Sequence, residues 1–437
     1  MNPRNIVMVT ADSLRADYCH TTVGGYETTP NLDRLADNAV TFDNAISPGP
    51  RTASSIPEII TGEPIPHTDP IEKADRIPAI QYMLKENESL PERLGESGYT
   101  TIAVTANPWT TVKTDFGDVF DVIYEEGEYR KPKIRKLLPS STARKAVDLI
   151  YQYRKNMHWF IQWPDFYDDI IDAVEQVDEP YFLWVFLLDT HNPYIVPRQD
   201  RRESSTLGMY YSQLRSNRIH TNDDDQTSVK SKMSAGTESM LKEGYRDCVR
   251  SVDRFVDTLL TDLVSDDPVL IFNSDHGEAF DEHGTYGHQS VVYEENIHVP
   301  FIVYNSGDTG SVQAPVSLRR LPDMICEFVR NGVSFSDDRW DSDYVVSRAQ
   351  LSGMTAVRGT DWKYLSDGNE EYLFNIQEDP FEKIDESESN PDKVRVMREY
   401  LEAFLSRIDE NTAAFERGDE IEQDTKDRLE SLGYVME

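Results

Sequence analysis

Five short runs rich in β-branched and aromatic residues, at 5–10, 100–105, 181–188, 269–273 and 300–304, punctuate the first 304 residues of this chain. Helical patterns lie between them, near residues 31–38, 54–60, 90–97 and 237–263. The last is the clearest, with Val249, Val252, Phe255, Val256, Leu259 and Leu260 at helical spacing. Apolar strands that alternate with helices predict an α/β fold, with a largely parallel sheet flanked by helices that cover both faces.

Two segments interrupt the alternation. Residues 126–177 read as a helical insertion, and residues 201–239 as a polar loop. Beyond about residue 335 the texture changes to short strands (344–348, 355–358, 362–365 and 371–375) and a final amphipathic helix at 391–407. The expected organisation is a catalytic-sized domain over 1–335, followed by a small C-terminal α+β domain over 336–437 that ends in an acidic tail.

Charge narrows the partners. The chain carries 79 acidic and 44 basic side chains, a net charge of −35, and only 15 of the basic residues are lysine. An evenly acidic, lysine-poor surface suits concentrated salt, where self-repulsion is screened, and points to a halophilic protein. The same field repels nucleic acid and anionic membranes, which removes both as default partners. No apolar run approaches the roughly 18–20 residues of a transmembrane segment. The first strand follows the start of the chain without a signal peptide, so a cytoplasmic location is expected. Cys19, Cys248 and Cys326 are widely spaced and odd in number, which reads as buried small residues rather than a metal site or a disulfide framework.

The chemistry concentrates at strand ends. In an open α/β sheet, ligands bind beyond the carboxyl ends of the strands. Asp12 follows the first run directly, and Asp275-His276-Gly277-Glu278 follows the fourth. An aspartate there is commonly a helix cap. Together, however, Asp12, Asp275 and His276 offer hard oxygens and a nitrogen, a set suited to a divalent cation, and Gly277 permits close backbone approach. In Thr52-Ala53-Ser54-Ser55-Ile56-Pro57-Glu58-Ile59-Ile60-Thr61-Gly62, Pro57 belongs in a first helical turn and predicts a helix start near 53–55, with Gly62 as its stop. Thr52 then lies at the positive end of a helix, either as a simple cap or as a hydroxyl whose ionisation is eased there.

In their order along the chain, Asp12, the Thr52–Gly62 segment and Asp275-His276 resemble the sulfatase branch of the alkaline-phosphatase superfamily. The family motif Cys-x-Pro-Ser-Arg-x4-Thr-Gly aligns in register with Thr52 to Gly62 and puts the nucleophile position on Thr52. Further similarities run nearly end to end: Asp189-Thr190-His191-Asn192-Pro193-Tyr194; Tyr245-Arg246-x-x-Val249-x-x-Val252-Asp253; Gly284-x-x-Gly287-His288; Tyr293-Glu294-Glu295-x-x-His298-Val299-Pro300; and Tyr372-Leu373-Phe374-Asn375-x-x-x-Asp379-Pro380.

The resemblance implies one divalent cation (Ca²⁺, Mg²⁺, Mn²⁺ or Zn²⁺) held by Asp12, Asp275, His276 and the Thr52 oxygen, with Ser13 where many members have a second aspartate. It implies that His191 and His288 flank the substrate, one binding the anion and one protonating the leaving oxygen. Asp189 would orient His191 or join a second metal site, Arg51 and Asn107 would be lesser substrate contacts, and His283 a weaker one. His20, His67, His158, His220 and His298 read as structural or surface residues. Departures from the family pattern matter as well. Thr52 cannot become formylglycine, Ile56 replaces the motif arginine, and Thr105-Ala106-Asn107-Pro108-Trp109 stands in place of the Gly-Lys-x-His segment. These favour a hydrolase or transferase acting on phosphate esters through Thr52, ahead of a sulfatase acting on sulfuric esters and of an inactive binding relative. The expected partner is an anionic small-molecule or glycan ester.

One feature falls outside the resemblance. Residues 130–155 carry nine basic side chains (Arg130, Lys131, Lys133, Arg135, Lys136, Arg144, Lys145, Arg154 and Lys155) against Asp148 alone, and Trp159, Phe160, Trp163, Phe166 and Tyr167 follow. The pattern predicts either a cationic, aromatic-edged lid that draws in an anionic ester, or a helical insertion whose basic face pairs with the acidic body.

Overall fold

The structure is a computed structural model that describes residues 3–19, 22–23, 26–66, 76–125, 161–220 and 233–412. The basic stretch at 130–155, His20, His67, His158 and the acidic tail beyond residue 412 lie outside the described residues.

The principal sheet has eight strands: β1 (Ile6–Ala11), β2 (Ala39–Phe42), β3 (Thr100–Thr105), β4 (Val122–Glu125), β5 (Tyr181–Leu187), β6 (Val269–Ser274), β7 (Phe301–Tyr304) and β8 (Gly310–Val312). Their spatial order is β8-β2-β7-β6-β1-β5-β3-β4. The five strands from β6 to β4 run parallel, and β7 is antiparallel to both of its neighbours. Every residue of β1, β5 and β6 is buried, as strands covered on both faces require. The sequence pattern finds these central strands to within a residue at each end. It misses β2, β4 and β8, which are short and sit at or near the sheet edges, where an apolar run is not needed.

Nine helices accompany the sheet among the described residues: α1 (Pro30–Ala36), α2 (Thr52–Thr61), α3 (Arg76–Glu86), α4 (Leu90–Glu96), α5 (Tyr167–Glu175), α6 (Thr206–His220), α7 (Ala235–Asp262), α8 (Leu321–Asn331) and α9 (Pro391–Thr412), beside shorter turns. Ser234 caps α7, its Oγ accepting the Thr237 N–H at 3.3 Å. The helix buries Tyr245, Cys248, Val249, Val252, Phe255, Val256 and Leu259. The expected polar loop at 201–239 instead contains α6, which packs along α7; its weak amphipathic pattern hid it. Trp163 and Phe166, expected at a lid edge, are buried in the main core, and Trp163 Nε1 donates to Ser251 O at 3.0 Å. All three cysteines are free and buried, as expected. No helix among the described residues is long and apolar enough to cross a membrane.

A second, antiparallel sheet follows, β9 (Val345–Arg348), β10 (Thr355–Arg358), β11 (Trp362–Ser366) and β12 (Glu371–Asn375), and α9 packs on it. It joins the main body through buried charge. Lys363 Nζ lies 3.2 Å from Glu294 Oε1 and 2.7 Å from Glu382 Oε1, and Arg358 Nε lies 3.2 Å from Glu294. Burial alone would raise the Glu294 carboxyl, but Arg358 and Lys363 outweigh it and hold the group below its ordinary value of 4.5. A depressed carboxyl contributes stability that is complete above pH 4.5 and is lost as the pH falls toward the folded value. Glu294→Ala is therefore expected to cost about 3–5 kcal/mol at neutral pH, because it leaves buried cations under-compensated. It should also flatten the acid limb of a Tm-against-pH profile. A variant whose acid limb matches the parent would refute this role.

Candidate active site

Register across the sheet assembles the site. Ala11 pairs with Ser274, so Asp12 and Asp275 leave β1 and β6 side by side, and His276 follows at once. Oxygens of the two aspartates and a ring nitrogen of His276 lie within 4.8 Å of one another, and all three side chains are fully buried. His276 Nε2 is 3.6 Å from Asp12 Oδ1 and 3.4 Å from Asp275 Oδ2. Its Nδ1 is 2.9 Å from the Gly277 carbonyl, which can only accept, so Nδ1 holds the proton and Nε2 presents its lone pair to the carboxylates.

The electrostatics of this cluster call for a cation. Burial raises the Asp12 carboxyl, and repulsion from Asp275 adds to the rise. Burial pushes Asp275 up to about 7 despite hydrogen bonds from Thr52 and backbone N–H groups, and lowers His276 to about 4. Asp275 Oδ2 has no hydrogen-bond partner among the described residues. Two crowded carboxylates, an orphaned oxygen lone pair and a neutral imidazole turned inward fit one divalent cation with mixed oxygen and nitrogen ligands.

Neighbouring groups hold these three side chains in place. Ser13 adopts a left-handed backbone, φ 62°, which costs a non-glycine residue about 1–2 kcal/mol. In that conformation its N–H donates to Asp275 Oδ1 at 3.1 Å and its hydroxyl to Asp12 Oδ1 at 2.7 Å. The Tyr245 hydroxyl on α7 donates to Ser13 O at 2.7 Å and accepts the Arg15 N–H at 3.0 Å, pinning the turn. Asn107 Nδ2 donates to Asp12 Oδ2 at 2.8 Å, so Asn107 steadies a ligand. A Cβ at Gly277 would collide with the Glu295 carbonyl, which bears out the close approach expected there.

Thr52 is the first residue of α2, a helix buried along its whole length, and its Oγ1 is 3.4 Å from His276 Nε2. The helix thus starts earlier than Pro57 implied. Pro57 is the sixth residue rather than part of the first turn, and it forgoes a backbone bond inside a helix held by packing. Gly62 ends the helix at φ 82°, as expected. Ile56 lies in the core, so no cation enters from that position. Arg51 precedes Thr52, and its charge acts on both His276 and Glu278.

His191 and His288 face each other with ring centroids 4.9 Å apart, and His288 lies equally close to His276. His191 Nδ1 is 2.6 Å from the Asn192 carbonyl, which leaves Nε2 for the site. Behind His288 stands Glu278, fully buried, with Oε1 3.3 Å from His288 Nδ1. Burial raises the Glu278 carboxyl well above its ordinary value although Tyr194 hydrogen-bonds it. Sequence reasoning includes Glu278 in its motif without giving it a role; the signal for it is a carboxylate two residues beyond the ligand histidine. Asp189 Oδ2 accepts the Trp163 N–H at 3.1 Å, and its electrostatic neighbours include Asp165, Asp200 and Arg254. One of its oxygens is thus engaged by the Trp163 backbone, while Oδ1 has no hydrogen-bond partner among the described residues. His283 stacks on Tyr293 and meets Glu295, and His298 Nε2 meets the Asp43 carbonyl, so neither reaches the site.

Because cation binding requires ionised carboxylates and a neutral His276, it should weaken as the pH falls from about 8 to about 5. At a hundredfold excess over its Kd, a bound cation is expected to add about 2.7 kcal/mol of stability, read as a rise in Tm that EDTA reverses. Asp275→Asn should abolish the rise. A Tm indifferent to both metal and EDTA would argue against the site.

Known proteins resemble this chain in sequence and in fold. The sulfatase family model matches residues 4–325. An arylsulfatase from Clostridium perfringens is 21% identical over 468 residues, covering 92% of this chain and 93% of that protein. A 2-O glycosaminoglycan sulfatase superposes with a TM-score of 0.65 at 16% identity, over 95% of each chain. The phosphonate monoester hydrolase of Agrobacterium radiobacter superposes with a TM-score of 0.59 at 16% identity, over 93% of this chain and 95% of that one. These likenesses show a shared fold, and the family match over most of its length shows that this chain belongs to the sulfatase family.

Proposed function

We propose that this protein is a metal-dependent hydrolase or transferase that acts on phosphate esters through Thr52, in a site whose ligands are Asp12, Asp275, His276 and the Thr52 oxygen. The observation that carries the reading is the Thr52 hydroxyl at the first residue of α2, 3.4 Å from His276 Nε2 and beside Asp275. When bound, a divalent cation supplies Lewis-acid charge that eases ionisation of the hydroxyl and offsets charge on the ester oxygens. The Thr52 hydroxyl releases its proton to solvent, its oxygen attacks phosphorus to form an oxygen–phosphorus bond, and the bond to the leaving oxygen breaks. His288, steadied by Glu278, gives that oxygen its proton, while His191, Arg51 and the N–H groups opening α2 stabilise the equatorial oxygens. Water or an acceptor alcohol then takes the phosphoryl group and frees Thr52.

A sulfuric-ester substrate is the second reading, favoured by the family match and by the sulfatase names among its relatives. Sulfate release through formylglycine is closed to threonine, which ranks phosphate first. An inactive binding role has the intact metal-ligand set against it. We read the acidic surface as an adaptation to concentrated salt.

The test is turnover of matched aryl phosphate, aryl phosphodiester and aryl sulfate esters at high salt, across a panel of divalent metals. Phosphate cleavage should dominate, and Thr52→Ala should lower kcat by about a thousandfold or more. Faster sulfate cleavage would overturn the ranking, and no turnover of any ester would favour the binding role. Glu278→Gln is expected to slow esters with poor leaving groups about 10²-fold and to spare activated ones, a pattern that a purely structural defect would not produce.

A further inference from the structure

Ser13 bridges the two buried aspartates. It donates its N–H to Asp275 Oδ1 at 3.1 Å and its hydroxyl to Asp12 Oδ1 at 2.7 Å. Asp275 Oδ1 also accepts the His276 N–H at 2.9 Å, and the other oxygen, Oδ2, lies 3.4 Å from His276 Nε2. Rotation about the Ser13 N–Cα bond fixes where the hydroxyl sits relative to the N–H. One residue therefore reaches both carboxylates only while Ser13 keeps its left-handed backbone, φ 62°. Serine is strained in that conformation, so the surrounding structure has to hold it there.

Tyr245 does so from outside the turn. Its hydroxyl lies 2.7 Å from Ser13 O and 3.0 Å from the Arg15 N–H. The Arg15 N–H can only donate and the Ser13 carbonyl can only accept, so the hydroxyl proton is committed to Ser13. Packing aims the hydroxyl. Tyr245 is fully buried on α7, and the rings of Tyr18, Tyr194 and Phe280 meet its ring edge to face at centroid distances of 4.9, 5.2 and 5.0 Å. A phenylalanine would keep that packing and lose only the clamp.

Resting on the cation site of the reading above, we propose that Tyr245 is a positioning residue that sets the affinity of the site for its cation. It acts through Ser13. By holding the turn, it keeps Asp12 and Asp275 oriented before a cation arrives, so that binding does not have to reorganise them. A residue of the long helix α7, remote in sequence from Asp12, Thr52 and Asp275, thereby tunes the centre without supplying a ligand.

The test is calorimetric titration of the metal-free full-length protein with Zn²⁺, Mn²⁺ and Ca²⁺, each alone, beside its Tm without metal. Tyr245→Phe should weaken the best-bound cation about tenfold or more. In a Ser13→Gly background the same substitution should cost about threefold or less, because glycine takes positive φ without strain and does not depend on the clamp. Comparison within each background cancels the serine hydroxyl that glycine lacks. Val256→Ala, a truncation of a fully buried side chain on the same helix, should lower Tm and leave the affinity unchanged. Parent-like affinity in Tyr245→Phe would overturn the role, as would an equal loss in both backgrounds or an equal loss in Val256→Ala. A parent protein that binds none of the three cations would remove the cation site itself, and this role with it.

Discussion

Two carboxylates that would repel each other are buried side by side because β1 and β6 are neighbours in register, and much of the site follows from that constraint. Ala11 opposite Ser274 leaves Asp12 and Asp275 level at the sheet's carboxyl edge. Burial raises both carboxyls, and repulsion from Asp275 adds to the rise at Asp12, so a positive charge between them is favoured. Around it, the structure devotes backbone and side-chain donors to the same two groups: the strained Ser13 turn, Asn107 and the His276 N–H. The strain at Ser13 persists because Tyr245, anchored on the long helix α7, holds the turn from outside.

The same logic places Thr52. A helix buried along its whole length brings its first residue against the carboxylates, where the N-terminal N–H groups add a partial positive charge. Glu58 on that helix meets Arg319, so even its buried acid is compensated. The second sheet is joined to the body through Glu294, Glu382, Arg358 and Lys363.

How much of this was legible beforehand varies residue by residue. The central strands and long helices were legible because their apolar patterns repeat with the period of the element they form. Asp12, Asp275 and His276 were legible because chemistry collects at strand ends in such sheets. Asp189 was legible only in part, since residue type and spacing do not say that the Trp163 N–H engages one of its oxygens. Pro57 misled because a buried helix tolerates a lost backbone bond when packing compensates. The helix at 206–220 was hidden by a weakly amphipathic composition.

By itself, the sequence determined the fold class, the family, and the candidate cluster of Asp12, Asp275 and His276 with the threonine beside it, since each depends on local pattern or on order along the chain. Only the tertiary structure decided that Glu278 backs His288 and that Tyr245 clamps the Ser13 turn. Those are contacts between residues far apart along the chain. They depend on register, side-chain direction and packing, none of which has a period that can be read from one residue to the next.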